Sequence, residues 1–241
     1  MAMSDQAREC SVVELGRLDY REANQLQERV RDAREAGRIG DTLLLLEHDP
    51  VYTRGRRSSP QELPQEPAWY ADRGIEIVDV DRGGRVTYHA PGQLVGYPIV
   101  KTADVVAHVR SLELVIIAAL ESFGIEARAR VDEGADFTGV WVDERKIASI
   151  GVHMRRSITT HGFAVNLNMD LEPWQWIVPC GLQAPITSVA AETGTVVDAD
   201  AFAAEVSRVW AAERGGPAAE ISGERLAALI EPTDAPLAGR E

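Results

Sequence analysis

Residues 146–181, KIASIGVHMRRSITTHGFAVNLNMDLEPWQWIVPCG, carry the reading that decides the fold. Residues 146–154 and 158–166 each have the length and β-branched content of a strand, and only Arg155, Arg156 and Ser157 separate them. That spacing predicts two paired antiparallel strands. A helical turn containing Trp174 and Trp176 then leads to Val178, Pro179, Cys180 and Gly181. Lys146 opens the stretch in an apolar run and Cys180 closes it. Lysine and cysteine are the side chains whose reactivity depends most on their surroundings, so a fold that joins them makes acyl transfer chemically accessible.

Outward from this hairpin, residues 12–18 suit a short strand. In residues 20–36, Ala23, Leu26, Val30 and Ala33 fall on one helical face. Thr42 to Leu46 (TLLLL) reads as a buried strand. Residues 53–67 are rich in Arg, Ser and Pro and read as a long surface loop, functional or a disordered insertion. Residues 75–80 alternate as a half-buried strand and run into Asp81-Arg82-Gly83-Gly84-Arg85, then through Val86 to His89 and Ala90 to Gln93, before a second strand from 94 to 100. The two glycines suit either a hairpin turn or a close approach of backbone to ligand. Asp104 can cap a helix reaching about Phe123, with Val105, Val109, Leu112, Ile116, Ala119 and Leu120 inward and Gly124 as its stop. Strands are expected at 125–129 and 137–142, and a last helix near Asp200 has Phe202, Val206, Val209 and Trp210 on one face. The expected architecture is α+β: a single domain over residues 11–214 with a mixed, largely antiparallel sheet flanked by helices. Residues 1–10 are expected to be flexible, and 215–241 a weakly ordered tail holding a loosely attached helix.

Composition is ordinary for a globular chain: 241 residues, 45% hydrophobic and 26% charged. No apolar run reaches the ~18 residues of a membrane span, and the charged N-terminus lacks the apolar core of an export signal. Two cysteines, with Cys10 near the terminus, fit a reducing cytoplasm without a structural disulfide. The formal net charge of −13 argues against nucleic acid as a partner. No glycine pattern matches a dinucleotide or phosphate loop.

A cysteine nucleophile needs its thiolate, which a nearby ammonium stabilises, and a lysine in a partly apolar site can exchange protons during turnover. Lys146 and Cys180 are complementary in this sense. Taken alone, each also has a plainer reading, as a solvated edge lysine and a buried small hydrophobe. His89, His153 and His161 offer base or metal alternatives, but their spacing matches no compact metal pattern, and no metal is expected.

The run from Arg82 to Tyr97 (RGGRVTYHAPGQLVGY), the Lys146-Ile-Ala-Ser-Ile-Gly151 segment and Pro179-Cys180-Gly181 resemble the signature of the octanoyl/lipoyl transferases of lipoate biosynthesis. The resemblance implies the mixed α/β domain shared with lipoate and biotin protein ligases. It implies transfer of an octanoyl or lipoyl group from acyl carrier protein to a lysine of lipoyl domains, those of 2-oxoacid dehydrogenase complexes and the glycine cleavage H protein. Cys180 is then the nucleophile that forms an acyl thioester, and Lys146 the acid/base partner. The implied substrate-binding positions are Arg82, Gly83, Gly84, Arg85, Val86, Thr87, Tyr88 and His89, then Ser149, Ile150 and Gly151, then Gly162, Phe163 and Ala164. Thioester-to-amide transfer is downhill, so no cofactor is implied. Glycine-rich segments would supply open N–H groups to an oxyanion, and Val86, Tyr88, Ile150 and Phe163 would line an acyl slot. Since carrier proteins are acidic, a local positive face is needed, with Arg54, Arg56, Arg57, Arg82, Arg85, Arg155 and Arg156 as candidates. An ATP-dependent lipoate-protein ligase and a non-catalytic acyl-binding module are the alternatives.

Overall fold

The computed structural model describes residues 10–178 and 184–231. β1 (Ser11–Leu18) leads through Asp19, whose carboxylate accepts the backbone N–H groups of Arg21 and Glu22, into α1 (Tyr20–Glu35). That cap satisfies donors left open at a helix start. β2 (Thr42–His48) pairs parallel with β1 and antiparallel with β6 (Gln93–Ile99). β10 (Ile158–Asn166) and β9 (Arg145–Arg155) follow as antiparallel neighbours, then β8 (Gly139–Val142) and the two-residue β7 (Arg128–Ala129). In the expected hairpin, Arg155 pairs with Ile158, and Arg156 and Ser157 turn the chain at φ 50° and 63°, the conformation of a two-residue hairpin loop.

α3 (Val105–Ser122), capped by Asp104, packs beside α5 (Ala199–Glu213) over one face of this sheet. Leu112, Ile116, Leu120, Phe202 and Trp210 join Val140, Ala148 and Phe163 in a common core. α1 covers the opposite face through Ala23, Val30 and Ala33, against Leu44, Val95, Tyr97 and Ala164. The architecture is the expected mixed, largely antiparallel α+β domain.

Five local expectations change. Residues 53–67 do not begin as a loop, because Thr53 and Arg54 end a strand, β3 (Val51–Arg54). β3 is the middle of a second sheet, between β4 (Glu76–Asp79) and β5 (Val86–His89). The β-branched and aromatic run Val-Tyr-Thr suits that buried central position. The Asp81–Arg85 turn is consequently no hairpin; it joins two strands that flank β3 rather than each other. Of the strand expected at 125–129 only Arg128–Ala129 pairs, and Phe137 belongs to a short 3-10 turn (Ala135–Phe137). Beyond Arg214, β11 (Ala219–Glu220) extends the sheet parallel to β1, and α6 (Gly223–Ile230) buries Leu226 and Ile230 against the α1 side. The sequence pattern missed this attachment because an amphipathic eight-residue helix is indistinguishable from a tail until its partner face is known. Two short helices, α2 (Pro67–Ala71) and α4 (Val189–Thr193), complete the fold.

Leu226 is 1% exposed, so Leu226→Ala is expected to cost about 2–4 kcal/mol of stability, as core truncations do. Urea denaturation checks this; a cost near zero would return α6 to the status of a loose appendage.

Candidate active site

Lys146 sits on β9 where the pairing with β8 slips. Val140 faces Ala148, but Trp141 faces Lys146, leaving Ile147 as an extra residue. Simple alternation would put Lys146 on the face of Ala148 and Ile150, which pack in the α3 core. The bulge turns it to the face of Trp141 and Ser149, as bulges beside functional sites commonly do. The lysine is 5% exposed, with Nζ 5.3 Å from the centre of the Trp141 ring, within cation–π range. Its backbone is held twice from outside the hairpin: its N–H donates to Pro185 O (2.8 Å), and its carbonyl accepts from Thr187 N–H (3.0 Å). On the other flank of the Pro179-Cys180-Gly181 run, Val178 N–H donates to Glu62 O (2.9 Å). Cys180 lies outside the described residues.

The opposite wall is the turn between β4 and β5. Gly83 N–H donates to Val152 O (2.9 Å), so this amide is committed to holding the turn on β9 and not to an oxyanion. Gly151 makes the contact possible: a Cβ there would lie 2.9 Å from Gly83 O and 3.2 Å from Arg82 Cδ. Arg82 is 7% exposed and works inward, donating to Thr53 O (2.9 Å), Thr53 Oγ1 (2.7 Å) and Gly83 O (3.0 Å). It braces the turn instead of presenting a docking charge. Arg85 pairs with buried Glu62 (2.8 Å), and both Arg85 and Arg57 reach Asp136 (3.6 and 3.0 Å).

Between these walls lies a cavity of about 410 Å³, within the usual range for small-molecule sites. Residues 82–87, His89, Lys146, 149–151 and 162–164 all line it. Tyr88 does not: its ring turns away onto Tyr52 and Trp174, at 5.1 and 6.0 Å between centres. Val86, Val109, Ile150 and Phe163 provide an apolar stretch. Tyr20, Tyr97 and His161, also lining residues, provide a polar end that sequence reading did not assemble. They come from β6, β10 and the start of α1, and no local pattern links them.

Hydrogen bonds tie that polar end together. His48 Nδ1 donates to Leu18 O (2.9 Å), so its Nε2 accepts from Tyr97 O–H (2.6 Å). Burial pushes the Tyr97 hydroxyl well above its ordinary range and holds His89 well below that of histidine. His89 Nδ1 meets Gln93 Oε1 (2.7 Å); Gln93 donates to Asn166 Oδ1 (2.9 Å), and Asn166 to Thr187 O (2.9 Å). This chain ends on the residue that grips the Lys146 carbonyl. His161 Nε2 donates to Asp81 Oδ1 (2.8 Å), with His153 3.5 Å from the other oxygen. Burial keeps His161 below the ordinary histidine range, and its hydrogen bond lowers Asp81 to about 2. Thr87 Oγ1 and His161 Nδ1 are buried without hydrogen-bond partners among the described residues, and both residues line the cavity.

The arginines expected to form one positive face are dispersed. Arg54 pairs with Asp79 (2.6 Å) and Arg156 with Glu35 (2.9 Å). Arg155 and Arg156 border a separate depression with Arg31, Asp32 and Glu35. Arg56 is exposed beside the turn, its N–H on Arg82 O (3.1 Å).

Asp81 has a folded pKa below its ordinary value of 3.8, so the stability it contributes is present above that value and disappears as pH falls through about 2. Asp81→Asn is therefore expected to lower the melting temperature at pH 6 and to match the wild type near pH 2. Parallel melts from pH 6 to 2 check this; a constant gap would remove the Asp81–His161 bond as its source.

Residues 19–211 match the lipoyl protein ligase A/B catalytic domain. An octanoyltransferase of Solibacter usitatus is 49% identical over 188 residues, covering 76% of this chain and 84% of that protein. In three dimensions, a lipoate-protein ligase A bound with ATP superposes with a TM-score of 0.71 at 16% identity, over 92% of both chains. A biotin protein ligase of Aquifex aeolicus in complex with biotin and ATP gives 0.54 at 15% identity, over 85% and 70%. The two structures share architecture, while the sequence match spans the cavity walls and the lysine strand together; the chain belongs to the lipoyl protein ligase A/B catalytic domain family.

Proposed function

We propose that this protein is an octanoyltransferase that moves an octanoyl group from acyl carrier protein to a specific lysine of lipoyl domains, through a thioester on Cys180 with Lys146 as acid and base. The observation that carries this reading is the shared cavity: an apolar slot opens beside Lys146, and that lysine's backbone is bonded to the segment following Cys180. Cys180 is two residues from tethered Val178 and five from tethered Pro185.

In the first half-reaction the Cys180 thiolate attacks the octanoyl thioester carbonyl. The carbonyl–sulfur bond to the carrier breaks, and the Lys146 ammonium protonates the departing thiolate. In the second, the acceptor lysine's amine attacks the acyl-cysteine, its surplus proton passes to neutral Lys146, and the Cys180 thiolate leaves. Each proton lost by Lys146 is regained within one turnover. Conversion of thioester to amide drives the cycle, in a cytoplasmic setting. The acceptors are lipoyl domains of 2-oxoacid dehydrogenase complexes and the glycine cleavage H protein. Of the arginines, Arg56 is exposed near Asp81 and suits contact with an acidic carrier, while Arg54, Arg57, Arg85 and Arg156 are held in ion pairs.

Incubation with octanoyl carrier should add one octanoyl group, seen by intact-mass measurement. The adduct should be absent in Cys180→Ser as a hydroxylamine-labile thioester and slow to form in Lys146→Ala. A wild-type level of labile adduct in Cys180→Ser would remove the nucleophile assignment. AMP release from octanoate and ATP would favour the ligase reading instead. Replacing octanoyl by hexanoyl removes two buried methylenes, worth about 1.6 kcal/mol, and should lower kcat/KM roughly tenfold. Arg56→Glu should raise KM for carrier-borne octanoyl but not for a small octanoyl thioester; equal effects on both would discard the docking role.

A further inference from the structure

Glu113 is an anomaly on the inward face of α3. It is 1% exposed, beside Leu112 and Ile116 on a buried helix face whose one other polar residue is His108. A carboxylate buried so deeply is costly unless both oxygens are answered. Here they are: Oε2 meets Arg110 Nη1 at 2.6 Å, and Oε1 accepts the backbone N–H of Gly139 at 3.0 Å. Gly139 is the first residue of β8, at φ +134°, a region that side-chain-bearing residues avoid. A Cβ at Gly139 would lie 2.7 Å from Lys146 Cε and 3.3 Å from its Nζ, besides colliding with Ala148 O. The lysine therefore crosses the bare surface of this glycine, with the Trp141 ring beside it.

We propose that Glu113 and Gly139 are positioning residues for Lys146: the carboxylate fixes the Gly139 peptide, and the missing Cβ leaves the trough in which the lysine side chain lies. The bulge in β9 decides which face Lys146 occupies, and the trough decides where along that face its ammonium comes to rest. The two devices are independent, since the bulge acts through strand register and the trough through a tertiary bond from α3. This inference rests on the reading of Lys146 as the acid/base group, and the experiment separates the two.

Octanoyl-transfer kinetics are compared for Glu113→Leu, Glu113→Gln, Gly139→Ala, Lys146→Ala and Leu226→Ala, each with its melting temperature. Glu113→Leu and Gly139→Ala should lose about 10²-fold in kcat, the scale of a 1 Å misplacement, with KM for a small octanoyl thioester unchanged because the slot is untouched. Glu113→Gln retains an acceptor for the Gly139 N–H and should restore most of the rate. Leu226→Ala, destabilised at a residue of α6 that does not line the cavity, should keep its kcat. Should Gly139→Ala fail to fold, the Leu and Gln variants of Glu113 decide. Wild-type kcat in folded Glu113→Leu would overturn the proposal, as would a Glu113→Gln enzyme as slow as the Leu variant, or a kcat loss in Leu226→Ala of equal size. A fast Lys146→Ala would instead overturn the acid/base reading, and the positioning role would fall with it.

Discussion

Turning Lys146 out of the α3 core is the constraint on which the site depends. In a regular strand it would share a face with Ala148 and Ile150, both packed in apolar surroundings. A buried ammonium without compensation is among the most costly groups a fold can hold. One extra residue in β9 resolves the conflict by placing Ile147 in the core and the lysine opposite Trp141. β10 pairs with β9 only as far as Ala148, and beyond it Pro185 and Thr187 take up the Lys146 N–H and carbonyl. The bulge orients the side chain, and the end of the β10 ladder leaves the same residue's backbone to anchor residues 185–187.

The polar contacts around the cavity follow from that anchor. Thr187 grips Lys146 through its N–H and receives Asn166 at its carbonyl, and Asn166 in turn receives Gln93, which holds His89. These groups come from β5, β6, β10 and the chain beyond β10, so the network couples the two sheets through buried bonds. Buried polar networks of this kind define one arrangement when fully satisfied and weaken the fold when broken. His89 is neutral here because burial outweighs its hydrogen bond. Its part in the network is to hold position.

Much of this was legible in the sequence, for identifiable reasons. The β9–β10 hairpin follows from two strand-length runs and a three-residue connection, α1 from apolar spacing, and α3 from apolar spacing and its Asp104 cap. Those are local signals. Strand β3 was hidden because its hydrogen-bond partners lie on both sides of it in space, and because the Arg- and Pro-rich residues after it dominate the composition. Residues 82–87 and 149–151 all line one cavity, whereas Tyr88 faces away from it. Alternation along β5 sends it toward Tyr52 and Trp174, and which face meets the cavity cannot be read from four residues. Tyr20 and Tyr97 were missed because their meeting is purely tertiary. Glu113 did leave a trace: an acid spaced four residues after Val109, on the face otherwise reserved for Leu112 and Ile116.

The charge pattern shows where composition misleads. A chain of net charge −13 with many arginines suggests a positive face set against an acidic remainder. In the fold most of those arginines are answered locally, Arg57 and Arg85 by Asp136 and Glu62 across the cavity rim, and Arg82 by Thr53 beneath it. Paired charges project little field beyond a Debye length of about 8 Å at physiological salt. Long-range steering of an acidic partner is therefore weak, and like net charges oppose approach. Recognition must then come from short-range contacts, for which Arg56 stands exposed beside the Asp81–Arg85 turn. The rim pairs have a second consequence: Asp136 holds the 135–138 turn to both Arg57 and Arg85, so that side of the cavity is braced by ion pairs.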